Sequence, residues 1–356
     1  EDIFEIGQVA YEVVWEPIEA VIGDLEYVYL VPDGVLNILP FNALVDGDDQ
    51  YLIVTRDVHM LSSARDLLPS GYRLAEGEYV ILAGPDYDAE EVVSAEALQA
   101  ARRSRSTAMQ LGLRAAGSGL RGLNFDPLPG AREEGRIITT RVEESDEPNE
   151  TYFGEDAQEQ VLTEFGEAPE ILHMATHGFF LEADDTLRKR LLKLQRGADL
   201  HVPPPGDNPL LRSGLAFAGI NNNAQFLGEI DTNNDGVLTA LEVLDLNLSG
   251  TRLVVLSACE TGLGEIHEGE GVYGLRRSFQ EAGVAEVVSS LWEVSDAGTQ
   301  ALMTAFYDRI LQGMEPRVAL RETQLELMKS PRWGYPYVWS AFMITGSYES
   351  AGYTIQ

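Results

Sequence analysis

The chain has 356 residues, of which 58 are acidic and 25 basic, giving a formal net charge of −33, and 44% of its residues are hydrophobic. Such a charge repels nucleic-acid phosphates and anionic membrane surfaces, and no apolar run approaches the roughly 20 residues that span a bilayer. We therefore expect neither a nucleic-acid nor a membrane partner. One cysteine in the whole chain cannot form an internal disulfide framework, which favours a reducing cytoplasm.

Hydrophobic periodicity predicts strands that alternate with helices along most of the chain. Residues 4–22 predict a helix, and this abrupt beginning is typical of a fragment of a longer protein. Further helices are predicted to open at 128–134 and to cover 156–165, 272–282, 298–312 and 316–328. Strands are predicted at 27–31, 35–41, 58–61, 79–84, 151–153, 171–175, 215–219, 253–256, 287–292 and 338–344, and the polar interval 86–122 predicts a helix or an insertion. This alternation indicates an α/β fold with a mostly parallel sheet flanked by helices.

Two predicted strands end in residues that carry chemistry. The apolar run 253–256 leads through Ser257-Ala258 to Cys259, and the run 171–175 leads through Thr176 to His177-Gly178. Ligands of open α/β sheets bind at the carboxyl ends of the strands. The two segments therefore predict a thiol and an imidazole at neighbouring strand ends.

A cysteine–histidine pair supports nucleophilic catalysis. The imidazole of His177 can take the proton of the Cys259 thiol, and the resulting thiolate is the attacking species. Backbone N–H groups of Gly178 and Cys259 can bind the oxyanion that forms on an attacked carbonyl. Unpaired cysteines are more often buried apolar residues, and on the residues alone this alternative stays open.

Two other histidines compete with His177 for a role. His173 lies four residues earlier on the same predicted strand, where a structural histidine is expected rather than one of a pair of metal ligands. His267 follows the cysteine segment and is an alternative base, although simple exposure explains it as well.

Residues 231–242 match a 12-residue EF-hand calcium loop at every position. The predicted oxygen ligands are Asp231, Asn233, Asp235, the carbonyl of Val237, Thr239 and Glu242. Alternatively, Gly236, Thr239 and Glu242 belong to an ordinary turn and helix start, which leaves Asp231 and Asn233 without an explanation. The pattern predicts bound Ca²⁺ close to the strand that leads to Cys259.

Six motifs occur in an order that resembles the CHAT domain, a bacterial branch of the caspase and separase group of cysteine proteases. They are Val31-Pro32-Asp33-Gly34 with Leu39-Pro40-Phe41, His173-Met174-Ala175-Thr176-His177-Gly178, Asp235-Gly236-Val237-Leu238-Thr239, Leu256-Ser257-Ala258-Cys259-Glu260-Thr261-Gly262, Ser290-Leu291-Trp292-Glu293-Val294 and Tyr337-Val338-Trp339-Ser340-Ala341-Phe342. The resemblance implies a caspase-like sheet and a His–Cys dyad, with His177 as base and Cys259 as nucleophile. It also implies that helical repeats that sense a trigger precede this domain in the full-length protein.

The resemblance extends to domain organisation and specificity. By likeness to separase, residues 1–122 are the N-terminal part of the CHAT unit, expected to be a degenerate, non-catalytic half, and residues 123–356 are the catalytic half. An acid after the strand that ends near Trp292 receives the arginine before the scissile bond in separase-like enzymes. Asp296 matches that position best, with Glu293 nearby, and would bind the guanidinium through two parallel hydrogen bonds. Alternatively, Asp296 caps the helix that begins near Ala297.

Two functions from different classes follow. The first is a cytoplasmic cysteine endopeptidase that cleaves protein substrates after a basic residue, arginine foremost, and depends on calcium. The second is a catalytically inactive signalling module that binds calcium or partner proteins. The reactivity of Cys259 distinguishes them.

Overall fold

The computed structural model describes residues 3–68, 74–90, 124–180, 209–223, 234–258, 274–292 and 294–346, and the backbone of 265–267 and 271–273. The strands in these ranges are β1 (Tyr27–Leu30), β2 (Asp57–Met60), β3 (Tyr79–Pro85), β4 (Asn149–Gly154), β5 (Ile171–Ala175), β6 (Gly178–Phe180), β7 (Ser213–Ala216), β8 (Val237–Thr239), β9 (Leu253–Ser257), β10 (Glu265–His267), β11 (Gly271–Tyr273), β12 (Glu286–Ser290) and β13 (Phe342–Gly346).

Helices occur on both sides of these strands. They are α1 (Ile3–Ala10), α2 (Glu16–Ile22), α3 (Leu52–Thr55), α4 (Pro129–Glu144), α5 (Gln160–Thr163), α6 (Ile220–Asn223), α7 (Ala240–Val243), α8 (Leu275–Glu281), α9 (Asp296–Ile310), α10 (Pro316–Met328) and α11 (Pro336–Trp339). A π-helical segment, Tyr11–Trp15, joins α1 to α2, so the predicted N-terminal helix is confirmed.

Eight strands form one sheet in the order β1-β2-β13-β12-β9-β5-β3-β4. Five of them, from β12 to β4, run parallel to one another, and β13, β2 and β1 form a second parallel group. The two groups meet at the antiparallel pair β12–β13. The predicted α/β class with a mostly parallel sheet is therefore confirmed.

The central strands are buried on both faces, as their unbroken apolar sequences predict. Every residue of β3, β5 and β9 is buried. Alternate residues of these strands join a core with α4, α9 and α10 on one face and a core with α7 and α8 on the other. Because side chains alternate between the faces, Ile171, His173 and Ala175 lie on the α4 and α9 face.

One predicted strand is wrong, and another begins later than predicted. Residues 35–41 form 3₁₀ turns, Gly34–Ile38 and Phe41–Ala43, because local hydrogen bonds favour a turn there. The Asp33 carboxylate accepts from the Gly34 N–H, and the Asn37 amide donates to the Pro32 carbonyl. The last predicted strand is the short helix α11 followed by β13, since Pro336 sets the first turn and the Ser340 hydroxyl donates back to its carbonyl.

Other predictions differ mainly in their boundaries. The helix predicted at 156–165 is confined to α5, and the helix predicted at 272–282 begins at Leu275, after β11. The helix at 316–328 is confirmed with the same limits.

The proposed boundary near residue 122 lies outside the described residues, and the division into a degenerate and a catalytic half stays a prediction. Strands from both sides of it share the main sheet, because β3 pairs with β4 and with β5. No helix in the described ranges combines the length and the apolar character needed to cross a membrane.

Candidate active site

The strands that lead to the predicted catalytic residues are direct neighbours in the sheet. β5 and β9 pair in parallel, with Ala175 opposite Ser257, so both end at the same edge. The Ser290 hydroxyl, at the end of β12, donates to the carbonyl of Ala258 and ties β9 to the next strand. Cys259 is bonded to Ala258 but lies, like Glu293, Asp231 and Asn233, outside the described residues.

His177 is half-buried at this edge, and a backbone carbonyl fixes its ring. Nε2 lies 2.9 Å from the carbonyl oxygen of Asp126. Because a carbonyl oxygen only accepts hydrogen bonds, the neutral ring carries its proton on Nε2. Nδ1 then keeps its lone pair and is the nitrogen that can act as a base.

Two neighbouring aromatic rings pack against the imidazole. The ring centroids of Tyr87 and Phe125 lie 5.2 and 5.6 Å from that of His177. The Tyr87 hydroxyl lies 3.0 Å from the Thr176 hydroxyl and accepts a hydrogen bond from the backbone N–H of His177 at 3.3 Å. Both the ring and the backbone of His177 are thus constrained.

Asn221 fixes the segment that supplies the Asp126 carbonyl. Its side-chain carbonyl accepts from the Phe125 N–H at 2.9 Å, and its amide donates to the Phe125 carbonyl at 3.0 Å. The same amide lies 2.9 Å from the Asp88 carboxylate. This side chain therefore joins α6, the segment after β3 and the segment before α4.

The backbone N–H of Gly178, which is predicted to bind an oxyanion, is not used in the pairing of β6 with β7. β6 pairs with β7 so that Gly178 lies opposite Leu215, while the Ala216 N–H donates to the His177 carbonyl at 2.9 Å. This pattern makes Gly178 and Leu215 a non-hydrogen-bonded pair. The N–H of Gly178 consequently points away from β7.

A pocket opens at the same edge, between the starts of α4 and α9. Its lining includes Thr176, Ser257, Ala258, Ser290 and Trp292 from the strand ends, Leu128, Gly130, Ala131 and Glu134 from α4 and the residue before it, and Val294, Asp296, Thr299 and Phe342. The pocket is therefore bordered by the residue that precedes Cys259 and contains the predicted specificity residue Asp296.

Asp296 is not the N-cap of its helix. Ser295 takes that position, and its hydroxyl accepts from the Gly298 N–H at 3.3 Å. The alternative explanation of Asp296 as a cap is therefore wrong. Asp296 is exposed, and its carboxyl group packs against Gly130 so closely that a Cβ at Gly130 would overlap it.

His173 is buried in the core, as predicted for a structural histidine. Its Nδ1 lies 3.1 Å from the Tyr307 hydroxyl, and its Nε2 lies 3.2 Å from a carboxylate oxygen of Glu134. Burial raises the pKa of Tyr307 well above its usual value, so this hydroxyl keeps its proton. The imidazole accordingly lies between a hydroxyl and a carboxylate.

The described half of the calcium loop contains a complete helix start. Thr239 caps α7, and the Glu242 carboxylate accepts from the Thr239 N–H at 2.8 Å and from its hydroxyl at 2.7 Å. Asp235 accepts from the Val237 N–H at 3.0 Å. Burial, with Asp235 and Glu242 nearby, raises the pKa of Glu159 well above its usual value.

These contacts agree with the competing account of this loop as an ordinary turn and helix start. Within the described ranges, no group of three or more His, Cys, Asp or Glu side chains is arranged to hold a metal ion. The carboxylate and hydroxyl oxygens of Asp235, Thr239 and Glu242 are nevertheless donors of the kind that Ca²⁺ prefers. Calcium binding stays a prediction.

Sequence reasoning missed Tyr87, Phe125, Asp126, Asn221 and Glu134. Tyr87 had a usable signal, because it follows the predicted central strand at the edge where ligands bind. Asp126 acts through its carbonyl, which no side-chain motif can reveal. Asn221 and Glu134 reach the site from α6 and α4, and their place depends on how these helices pack.

Comparison with known proteins gives a family and several relatives. The family model described as CHAT domain matches residues 5–347. A segment of 111 residues, 31% of the chain, is 36% identical to tetratricopeptide repeat protein 28 of Homo sapiens and 34% identical to that of Mus musculus. The matched region spans 4% of the length of these relatives.

Two solved structures are also similar to the chain. The Arg-specific cysteine proteinase gingipain R matches 97% of the chain and 66% of its own length, with a TM-score of 0.49 and 9% identity. Separase, in the Saccharomyces cerevisiae separase–securin complex, matches 90% of the chain and 16% of its own length, with a TM-score of 0.45 and 11% identity.

Proposed function

Because the chain belongs to the CHAT domain family over residues 5–347, we propose that it is a cysteine endopeptidase that cleaves protein substrates after a basic residue, arginine foremost. The observation that carries the proposal is the register of β5 and β9. Ala175 lies opposite Ser257, so the segments that lead to His177 and to Cys259 leave the sheet side by side.

In the proposed reaction, Nδ1 of neutral His177 takes the proton of the Cys259 thiol, and the thiolate attacks the carbonyl carbon of the scissile peptide. As the C–S bond forms, the carbonyl π electrons move to the oxygen, which accepts hydrogen bonds from the N–H groups of Gly178 and Cys259. The imidazolium then gives its proton to the leaving amine as the C–N bond breaks. Water hydrolyses the thioester, which restores the thiol and releases the acid.

The pocket beside Ala258 supports the basic preference. It contains the carboxylate of Asp296, and Trp292, Val294 and Phe342 supply apolar surface for the aliphatic part of a long side chain. A guanidinium can bind a carboxylate through two parallel hydrogen bonds. We assign Asp296 as the residue that receives the arginine, with Glu293 as a further candidate.

The dyad is tested with Cys259→Ala, His177→Ala and, as a control, His267→Ala. At pH 7 we expect Cys259 to react with iodoacetamide about 10-fold faster than a free thiol, because a neighbouring imidazole increases its thiolate fraction. His177→Ala should label no faster than a free thiol and should not cleave arginyl peptides. Cys259→Ala should also lose cleavage. His267→Ala should keep both the fast labelling and the cleavage. A wild-type protein that labels like a free thiol and cleaves no peptide would support the inactive signalling module.

Calcium binding by residues 231–242 forms a second part of the proposal. Asp231, Asn233, Asp235, the carbonyl of Val237, Thr239 and Glu242 would hold the ion, which would order the segment before β9. The support is the spacing of these oxygen-bearing residues.

We expect Ca²⁺ added to chelator-treated protein to raise the melting temperature by a few degrees at about 100 times the Kd, because binding stabilises the folded state alone. Glu242→Gln should lose this shift, and Asp245→Asn, an exposed acid one turn further on, should keep it. If added Ca²⁺ changes neither the melting temperature nor the cleavage rate, calcium binding by residues 231–242 is excluded.

We further propose that helical repeats elsewhere in the full-length protein control this domain. The supporting observation is that 111 residues of the chain match proteins named for tetratricopeptide repeats. The partners of the domain would then be its protein substrate and this repeat region.

A further inference from the structure

A second carboxylate, that of Glu134, lines the pocket that contains Asp296. Glu134 lies in the second turn of α4 and is 3% exposed, whereas Asp296 begins α9 and is exposed. The pocket therefore has one acid deep inside and another at its rim.

Glu134 is held from inside the core by His173 and, through it, by Tyr307. In the part of the chain that the structure describes, Nε2 of His173 lies 3.2 Å from a carboxylate oxygen of Glu134, and the side chain of His173 is fully buried. The other ring nitrogen of His173, Nδ1, lies 3.1 Å from the Tyr307 hydroxyl.

A buried carboxylate has lost most of its hydration, so its charged form is costly unless a cation or hydrogen-bond donors compensate it. A cation that enters the pocket from the open side would pair with the carboxylate of Glu134, which lines the pocket. The apolar side chains of Trp292, Val294 and Phe342 line the same pocket and fit the aliphatic stem of a long basic residue.

We propose that Glu134 is a second specificity-determining residue. Its carboxylate, deep in the pocket, binds one edge of the substrate guanidinium, while Asp296, at the rim, binds another. The inference rests on the proposed function and deepens it by naming a second residue that recognises the arginine of the substrate. A guanidinium is a planar fork with five N–H donors and serves two carboxylates at once, whereas an ammonium group is a compact charge on a flexible stem. The pocket is therefore selective for arginine over lysine.

The first experiment compares Glu134→Gln with Glu133→Gln, which changes an exposed acid one residue earlier on the same helix. Glutamine keeps the length of the side chain and can still accept from His173, but it removes the charge. We expect Glu134→Gln to lower the ratio of kcat/KM for arginyl over lysyl peptides about 10-fold, the size of one lost charged hydrogen bond, and Glu133→Gln to leave it unchanged. If Glu134 has a purely structural role, Glu134→Gln should change the melting temperature and leave the arginyl-to-lysyl ratio unchanged.

The second experiment measures binding without catalysis. In a Cys259→Ala background, calorimetry compares agmatine, which carries the arginine side chain, with cadaverine, which carries that of lysine. Glu134→Gln should weaken agmatine about 10-fold and leave cadaverine almost unchanged. If Glu134→Gln does not fold, Glu134→Asp, which keeps the charge but withdraws it by one methylene, should also lower the agmatine-to-cadaverine ratio.

The outcomes separate this inference from the proposed function. If the wild type cleaves arginyl peptides and Glu134→Gln has the same ratio of kcat/KM for arginyl over lysyl peptides, the inference is overturned and the proposed peptidase activity stands. A protein that cleaves nothing but binds agmatine in a Glu134-dependent way overturns the peptidase and leaves the pocket assignment.

Discussion

The orientation of His177, the proposed general base, depends on atoms that are not part of any motif. The Asp126 carbonyl selects the tautomer, Tyr87 and Phe125 hold the ring, and Asn221 holds the chain around Phe125. A general base must lie within hydrogen-bonding reach of the proton it takes. The position of Nδ1 is therefore set by neighbours far away in the sequence.

Asn221→Ala tests this support. Losing both hydrogen bonds to Phe125 should let Asp126 and the imidazole shift, and a misplacement of about 1 Å costs roughly 100-fold in rate. We expect kcat and the rate of iodoacetamide labelling to fall by about 10- to 100-fold while KM changes little.

Asn222→Ala is the matched control, because the neighbouring amide donates to the carbonyls of Asp88 and Ala89 rather than to Phe125. Equal losses in both variants would mean that α6 as a whole, and not the contact with Phe125, orients His177.

At the scale of elements, the pocket exists because two helices begin at the edge where β5, β9 and β12 end. α4 begins with Pro129, α9 begins after its cap Ser295, and the carboxyl group of Asp296 packs against Gly130. A helix N-terminus favours a nearby negative charge. This packing fixes the position of the acid at the rim.

Gly130→Ala tests that packing. The added methyl group would overlap the carboxyl group of Asp296, which must then move away from the pocket. We expect the preference for arginyl over leucyl peptides to fall about 10-fold, the effect of losing a charged hydrogen bond, while cleavage itself persists.

Gly166→Ala serves as the control for Gly130→Ala, because a Cβ at Gly166 meets no atom within 4 Å. An unchanged arginyl preference in Gly130→Ala would show that Asp296 does not contact the substrate.

The sheet of the whole molecule joins two parallel groups of strands at the β12–β13 pair, and a buried histidine lies in the smaller group. His59 on β2 is 4% exposed, with Arg317 and Asp57 as its charged neighbours and the Gly346 backbone beside it. Burial first, and then Arg317, lower the pKa of His59 to about 4. The folded protein therefore keeps this ring neutral.

Because His59 is buried in its neutral form, we expect the folded protein to lose stability in mild acid. The unfolded chain takes up a proton on His59 near pH 6.5, and the folded chain does so only near pH 4, so its contribution is complete above pH 6.5 and is lost as the pH falls towards 4. Between pH 7.5 and 5 we expect about 2 kcal/mol of this loss.

Urea unfolding of wild type and His59→Gln at the two pH values measures the effect. As the pH falls from 7.5 to 5, the free energy of unfolding of wild type should decrease by about 2 kcal/mol more than that of His59→Gln. Parallel pH dependences would contradict the assignment.

Local patterns in the sequence determined the α/β class, the buried central strands and membership in the CHAT domain family, which the match over residues 5–347 confirms. Apolar runs, prolines and glycines act within a few residues, so their effect can be predicted without a fold. The same local reasoning failed at 35–41, where the side chains of Asp33 and Asn37 bond the backbone and favour a turn.

Tertiary structure decided the strand order and the contacts that the helices make with the site. The pairing of β5 with β9 brings the histidine and cysteine segments to one edge, α6 brings Asn221 to Phe125, and α4 brings Glu134 into the pocket of Asp296. Each of these contacts joins parts of the chain that are distant in sequence. Strand order and helix packing are set by burial of the whole core, and no local pattern of residues contains that information.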